Sequence, residues 1–182
     1  KNLDYRNHIS VHITIDKKLF EDNWIYIHSP NIKAARISDF TNFSNYMSKD
    51  GHCPITVEYF CFENDDIWNR ENEFIIDLAL NELKIIFDKD FKIIHSAVTR
   101  SPKAYPVIKT GYQEYINNIK DWLSTLNNVT AIGRSGMFKY NNQDHAMATG
   151  IYAARTLLGE GIYDPWEVNV DGEYHEEIVE TN

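Results

Sequence analysis

Scarcity sets the first limits on this chain. It holds only two cysteines, Cys53 and Cys61, without CxxC spacing. Neither a disulfide framework nor a thiolate metal site is therefore expected. Cys61 lies in an apolar run, so the expectation is a buried, reduced thiol in a cytoplasmic protein. No apolar stretch approaches the roughly 18–20 residues of a membrane span. Neither a GxGxxG fingerprint nor a Walker-type loop occurs, and no repeat or low-complexity segment interrupts the chain. A basic excess is missing too. The net charge is −9, yet after Arg155 there is no Lys or Arg, while eight of the 27 acids fall there. Residues 1–159 are nearly neutral, with 19 acids against 18 bases. The acidity belongs to the tail, and a nucleic-acid partner, which needs a basic face, is not expected.

What is present suits a packed protein. Its 182 residues are 43% hydrophobic and 13% aromatic, enough for one domain or one and a half with a real core. The first residue is Lys and no signal peptide is visible, so the start reads as a cut within a longer chain.

Ile9, Val11, Ile13 and Ile15 alternate with polar residues and predict a half-buried strand over 8–15. Trp24–His28 predicts a second strand, joined to the first as a hairpin through the polar 16–23 connection. A short strand is expected near 35–38. Pro54–Phe62 is apolar on both faces, which predicts a central strand covered on each side. Ile76, Ala79, Leu80, Leu83, Ile86 and Phe87 line one face of a helix over 72–87. Strand character returns over 91–99, and Pro102 and Pro106 are expected to break it into an extended crossover. Tyr112 to Leu126 form the cleanest amphipathic helix. A strand at Val129–Ile132 and a helix near 143–158, ended by Gly159 and Gly161, complete the order. Strands cluster early and the first helix comes late, which predicts an α+β fold rather than a doubly wound sheet.

The chemistry concentrates in Val129–His145. A β-branched run enters the loop Gly133-Arg134-Ser-Gly136, and a polar cluster then opens a helix of small residues. Such a helix start aims free N–H groups and a positive dipole end at an electron-rich ligand, and a flavin's pyrimidine carbonyl is a suitable occupant. Gly133 and Gly136 supply conformational freedom, and Arg134 a fixed cation beside a pyrophosphate. The alternative is an ordinary N-cap on a core helix. Along that helix Met147, Ile151, Ala154 and Leu158 form an apolar stripe, beside a small-residue stripe of Ala146, Gly150 and Ala153.

The run Gly133-Arg-x-Gly-x-Phe-x-Tyr140-Asn-Asn-Gln-Asp-His-Ala146, followed by Thr-Gly and Ala-Ala-Arg, resembles the last cofactor motif of FAD-dependent amine-oxidase-type and UDP-galactopyranose-mutase-like flavoproteins. Trp24-Ile-Tyr-Ile, Arg36-Ile, Glu58-Tyr59-Phe60, Trp68 and Ala104-Tyr105-Pro106-Val107 fit the same pattern. The resemblance spans roughly residues 5–160. It implies that Gly133, Arg134 and Gly136 meet the ribityl–pyrophosphate region, and that Asn142, Gln143 and Asp144 face the isoalloxazine. It also implies FAD in a full-length protein whose N-terminal FAD-binding half is absent from this piece, which alone would be colourless and inactive. Three parts follow: a substrate-binding domain over 1–127, a strand–loop–helix of the FAD-binding domain over 128–160, and an acidic tail over 161–182. The implied function is an FAD-dependent oxidoreductase or mutase-like enzyme of glycan biosynthesis, acting on a small molecule such as a nucleotide sugar. Mutases of the family carry a Tyr-x-Asp-Met-Asp-like segment where this chain has Tyr140–Asp144, so a mutase-type isomerase is an alternative. A non-catalytic ligand-binding module and a structural, partner-binding domain are the others.

Arg36, Tyr59, Trp68, Arg100 and Tyr105 are the expected substrate contacts, since Arg forks suit phosphate or carboxylate and aromatics suit a sugar or base. Against this, both arginines suit plain ion pairs, and Tyr59 and Trp68 suit a core. No catalytic residue is identified. His8 and His12 share a strand face about 13 Å apart, too far for one metal, and no metal site is expected. His145, at the helix start, reads as either a flavin neighbour or a structural cap. Trp166 and Val168 are expected to pin the tail.

Overall fold

The structure is a computed structural model that describes residues 2–49 and 51–169; the acidic end of the tail lies outside them. Contacts divide the described residues into two compact units, one within 5–104 and the other formed by 105–169 together with 2–4.

The first unit is built on an antiparallel sheet of five strands, an α+β arrangement as expected. The strands are β1 (Tyr5–Ile15), β2 (Trp24–Tyr26), β3 (Arg36–Asp39), β4 (Cys53–Cys61) and β5 (Ile93–Pro106), in the order β2-β3-β4-β1-β5. β4 is central, as its two apolar faces demand. The hairpin expected between β1 and β2 does not form. β1 pairs with β4 over nine residues, from Asn7 opposite Cys61 to Ile15 opposite Cys53, whereas β2 offers three residues and pairs with β3. Length of ladder outweighs nearness in sequence. Pro102 does not break β5 either. An edge strand has one side without a ladder, so a missing N–H is tolerated there. The strand bends instead at Lys103, whose φ is 53° and whose N–H donates to Asn7 Oδ1 at 2.9 Å.

Alternation sends Ile9, Val11, Ile13, Ile15, Cys53, Ile55, Val57, Tyr59 and Cys61 to one face, where all are buried. Helix α1 (Asn72–Phe87) belongs to the same core, through Ile75, Ala79 and Leu83. Its buried stripe is rotated from the expected one, with Ile75 and Glu82 fully inside and Ile76, Leu80, Ile86 and Phe87 only partly so. Glu82 explains the rotation. Its carboxylate accepts from the N–H groups of Lys33 (2.6 Å) and Ala34 (3.1 Å) and from the Tyr59 hydroxyl (2.9 Å), so that edge of the helix must turn inward. Burial, followed by the neighbouring Glu82 charge, pushes the Tyr59 hydroxyl's pKa up. Both cysteines are free and buried. Burial and the Asp39 carboxylate, which accepts from the thiol at 3.1 Å, push Cys53 up to about 12.

The second unit contains α2 (Tyr112–Ser124), a single helical turn α3 (Gly133–Gly136) and α4 (Gln143–Leu157). The strand expected at 129–132 is absent. Ile132 is extended (φ −137°, ψ 161°), but the segment pairs with no strand among the described residues, because none lies alongside. A one-turn 3₁₀ helix, Pro165–Glu167, is held by Lys139 Nζ, which donates to the carbonyls of Trp166 (2.8 Å) and Val168 (2.9 Å). The tail is thus pinned through its backbone at the positions expected. No helix among the described residues is long and apolar enough to cross a membrane.

Candidate functional site

The Gly-Arg loop is held shape by shape. Gly133 has φ 73°, a left-handed conformation that favours glycine, and its N–H donates to the Thr149 hydroxyl at 2.9 Å. Asn141, which the sequence reading missed, is 1% exposed and locks the loop. It donates from Nδ2 to Gly133 O at 3.4 Å and accepts at Oδ1 from Asn169 at 3.0 Å. Its carbonyl accepts from Arg134 Nη1 at 3.3 Å. A buried amide among four polar residues has no sequence signature, since its partners come together only through the turn.

Arg134 is clamped. Its guanidinium lies 4.4 Å from the ring centre of Tyr105 and 4.4 Å from that of Tyr140. Stacking on two rings fixes the plane of the fork. Its Nε is buried without a hydrogen-bond partner. Tyr105 and Arg134, expected to serve substrate and cofactor separately, are therefore one assembly.

At the start of α4, Asn142 and His145 form a reciprocal capping box, in which Asn142 N–H donates to His145 Nδ1 at 3.2 Å. His145 is a cap. The following residues Gln143 and Asp144 are exposed, and N–H groups in a first helical turn have no intrahelical acceptor. The donor set fits the carbonyl edge of a neutral ring better than an anion, because the Asp144 carboxylate stands in the same turn. Gly136 and Gly150 point into open space, for a Cβ at either would meet nothing within 4 Å. The apolar stripe of α4 is also uncovered: Met147 is 63% and Ile151 52% exposed, while Thr149 on the opposite side is fully buried. Beside these elements lies an open groove of about 880 Å³, lined by Tyr112, Ile116, Phe138, Tyr140, Asn142 and Trp166 among others.

The other expected substrate contacts lie in the first unit and do not gather. Tyr59 is 1% exposed in the core, on Glu82. Trp68 packs against the same core from a 3₁₀ turn. Arg100 holds the start of α1, donating to Asn72 Oδ1 and Arg70 O at 2.5 Å each. Only Arg36 reaches the sheet's second face, where it is paired with Glu58, through Nε at 2.9 Å and Nη2 at 2.5 Å. His8 Nε2 joins the same carboxylate oxygen at 3.1 Å. Burial raises the Glu58 carboxyl, but the bonds from His8 and Arg36 and the charge of Arg36 outweigh it and hold the group below its ordinary range. His12 sits between the hydroxyls of Thr56 (3.0 Å) and Thr99 (3.1 Å), and burial lowers its pKa. Sequence alternation put His8 and His12 on one face but could not supply their partners, which lie 50 and 44 residues away.

A five-stranded antiparallel sheet with a following loop and small-residue helix recurs in known structures. Reduced UDP-galactopyranose mutase matches 88% of this chain with a TM-score of 0.74 at 19% identity. A protoporphyrinogen oxidase-like protein from Exiguobacterium sp. 255-15 matches 74% with a TM-score of 0.61 at 14% identity. The chain spans about a third of each, 35% and 31% of their lengths. At such identities the likeness is one of fold, and it is the fold the sequence resemblance implied. No protein-family pattern and no curated protein sequence matches the chain.

Proposed function

We propose that this chain is the substrate-facing sheet and final flavin-contacting motif of a larger FAD-dependent oxidoreductase or mutase-like enzyme, acting on a nucleotide sugar or glycan precursor. The observation that carries the reading is α4, whose first turn exposes Gln143 and Asp144 and whose Met147 and Ile151 stand bare. A free-standing domain buries such a stripe. The fold likeness to a third of two longer proteins supports the same conclusion.

Gly133, Arg134 and Gly136 would then lie along the ribityl–pyrophosphate chain, with the Arg134 fork held in plane by Tyr105 and Tyr140. Asn142, Gln143 and Asp144 would border the ring, through the first-turn N–H groups of Gln143 and Asp144. FAD, when bound, supplies the redox or adduct chemistry. The chain's own residues orient the ring and present the substrate to it.

The test is assembly. The reading frame upstream should encode a Gly-rich βαβ unit, and that segment, supplied as a second polypeptide, should capture FAD with this chain and quench its fluorescence. Ile151→Glu, on the bare stripe, should abolish capture while leaving the circular dichroism of this chain unchanged. An upstream frame without such a unit, or capture indifferent to Ile151→Glu, would refute the reading.

A further inference from the structure

Among the described residues the sheet has two edges, β2 and β5, and the sequence treats them differently. β5 is blunted as exposed edges usually are: Pro102 and Pro106 carry no N–H, and the strand bends at Lys103. β2 has no such protection. The run Asn23-Trp24-Ile25-Tyr26-Ile27 contains no proline, glycine or charge, and Trp24 and Tyr26 stand 46% and 58% exposed. Phe43, itself 48% exposed, stacks on Trp24 with ring centres 5.9 Å apart and widens the apolar surface at this edge.

The backbone of β2 is half used. Ile27 N–H donates to Ala35 O at 3.0 Å, and Asn23 O accepts from Asp39 N–H at 3.0 Å, so the odd-numbered residues bond to β3. Antiparallel ladders alternate, which turns the N–H and C=O groups of Trp24 and Tyr26 to the open side. No loop or side chain among the described residues bonds to them.

A strand of three residues offers an unrelated strand little to read. Against itself it is complementary. A two-fold axis at Ile25 sets Trp24 opposite Tyr26 of the other copy. Trp24 N–H then donates to that Tyr26 carbonyl, the Tyr26 N–H returns the bond, and symmetry repeats both. Further out on both sides, Asp22 comes level with His28 of the other copy. Both are exposed, and the carboxylate accepts from the imidazole N–H. A slip of one residue would set outward groups against inward ones, and a slip of two would part Asp22 from His28.

We propose that β2 is the interface of a homodimer, in which two copies join their sheets edge to edge in this register. The inference concerns the first unit alone and is independent of the flavin reading.

Sedimentation velocity of the full chain, over about a hundredfold range of concentration, tests it. The mass should climb from 21.3 kDa toward twice that value. Ile151→Glu should associate equally, which separates this contact from one through α4. The amides of Trp24 and Tyr26 should exchange with deuterium more slowly as the dimer fills. Asp22→Arg and His28→Asp should each weaken association at least about tenfold, whereas the double variant, which swaps the pair at both ends, should recover it. A chain that stays at 21.3 kDa throughout overturns the proposal. So does an association lost in Ile151→Glu, one that leaves the two amides exchanging unchanged, or a double variant no better than either single one. Protection of the same amides by the upstream segment, without self-association, would assign the edge to the rest of a longer chain and overturn it equally.

Discussion

Replacing Glu82 with alanine tests whether a buried carboxylate, rather than the apolar stripe alone, seats α1 on its core. The side chain is 4% exposed and accepts three donors. Lys33 is exposed, so its N–H can turn to water once the carboxylate is gone. Ala34 and Tyr59 are buried at 0% and 1%, so their N–H and O–H have no such recourse. Two orphaned donors at about 1–3 kcal/mol each predict a loss of about 2–6 kcal/mol. That is a large share of the roughly 5–15 kcal/mol typical of a folded domain. Glu82→Gln should lose less, about 1–3 kcal/mol, because one amide oxygen serves one side while the NH₂ faces a donor on the other. Urea unfolding followed by circular dichroism measures both. Ile85→Ala, 70% exposed on the same helix, is the control and should stay within about 0.5 kcal/mol. A Glu82→Ala loss below 1 kcal/mol at unchanged m-value would refute the reasoning.

Three shorter predictions follow from the same geometry. Glu58 is held below its unfolded pKa, so its stabilisation is complete above about pH 4.3 and is lost as pH falls through the folded value; the stability difference between the native chain and Glu58→Gln should shrink only on the acid side. Cys53, pushed up to about 12 by burial and by Asp39, should react with a thiol reagent at neutral pH at a small fraction of the rate seen after denaturant unfolding, and a native rate equal to the unfolded one would contradict its placement. Arg134→Lys keeps the charge but not the plane that lies between Tyr105 and Tyr140, and should destabilise by about 1–2 kcal/mol in thermal unfolding, where a neutral outcome would mean the stacking is incidental.

How far the sequence could be read depended on the range of the forces involved. The bounds of α1 were legible, since periodicity acts within one turn, but the face it buries was not, because Glu82 finds its partners only in three dimensions. The central position of β4 followed from two apolar faces. The pairing of β1 was not legible, because a nearby three-residue strand and a distant nine-residue one compete only in three dimensions. Pro102 misled for a related reason: whether a missing N–H matters depends on whether the strand is at an edge. In the site, Gly133 and Arg134 stood out by type, whereas Asn141 and Glu58 did not. The role of each is made by partners brought together by a turn or by cross-strand register. Arg36 was picked for its charge, and the same register neutralises it.

Gly150 is where sequence and structure disagree most usefully. It sits inside α4 with an ordinary backbone conformation, since it is not among the residues of positive φ. A Cβ there would meet nothing within 4 Å. Glycine in a helix interior is about 1 kcal/mol less favourable than alanine, and nothing in the described residues compensates. The helix carries this penalty beside a bare stripe, at Met147 and Ile151, that it has no intramolecular reason to expose. Both facts have one cause if another surface closes on α4 so tightly that a methyl group has no room. Gly150→Ala should then stabilise the chain alone by about 0.5–1 kcal/mol in urea unfolding. The same change should weaken its assembly with the flavin-binding segment, read as reduced FAD capture. Stabilisation with unchanged capture would show that no partner approaches this helix closely, and the glycine would be left without a physical reason.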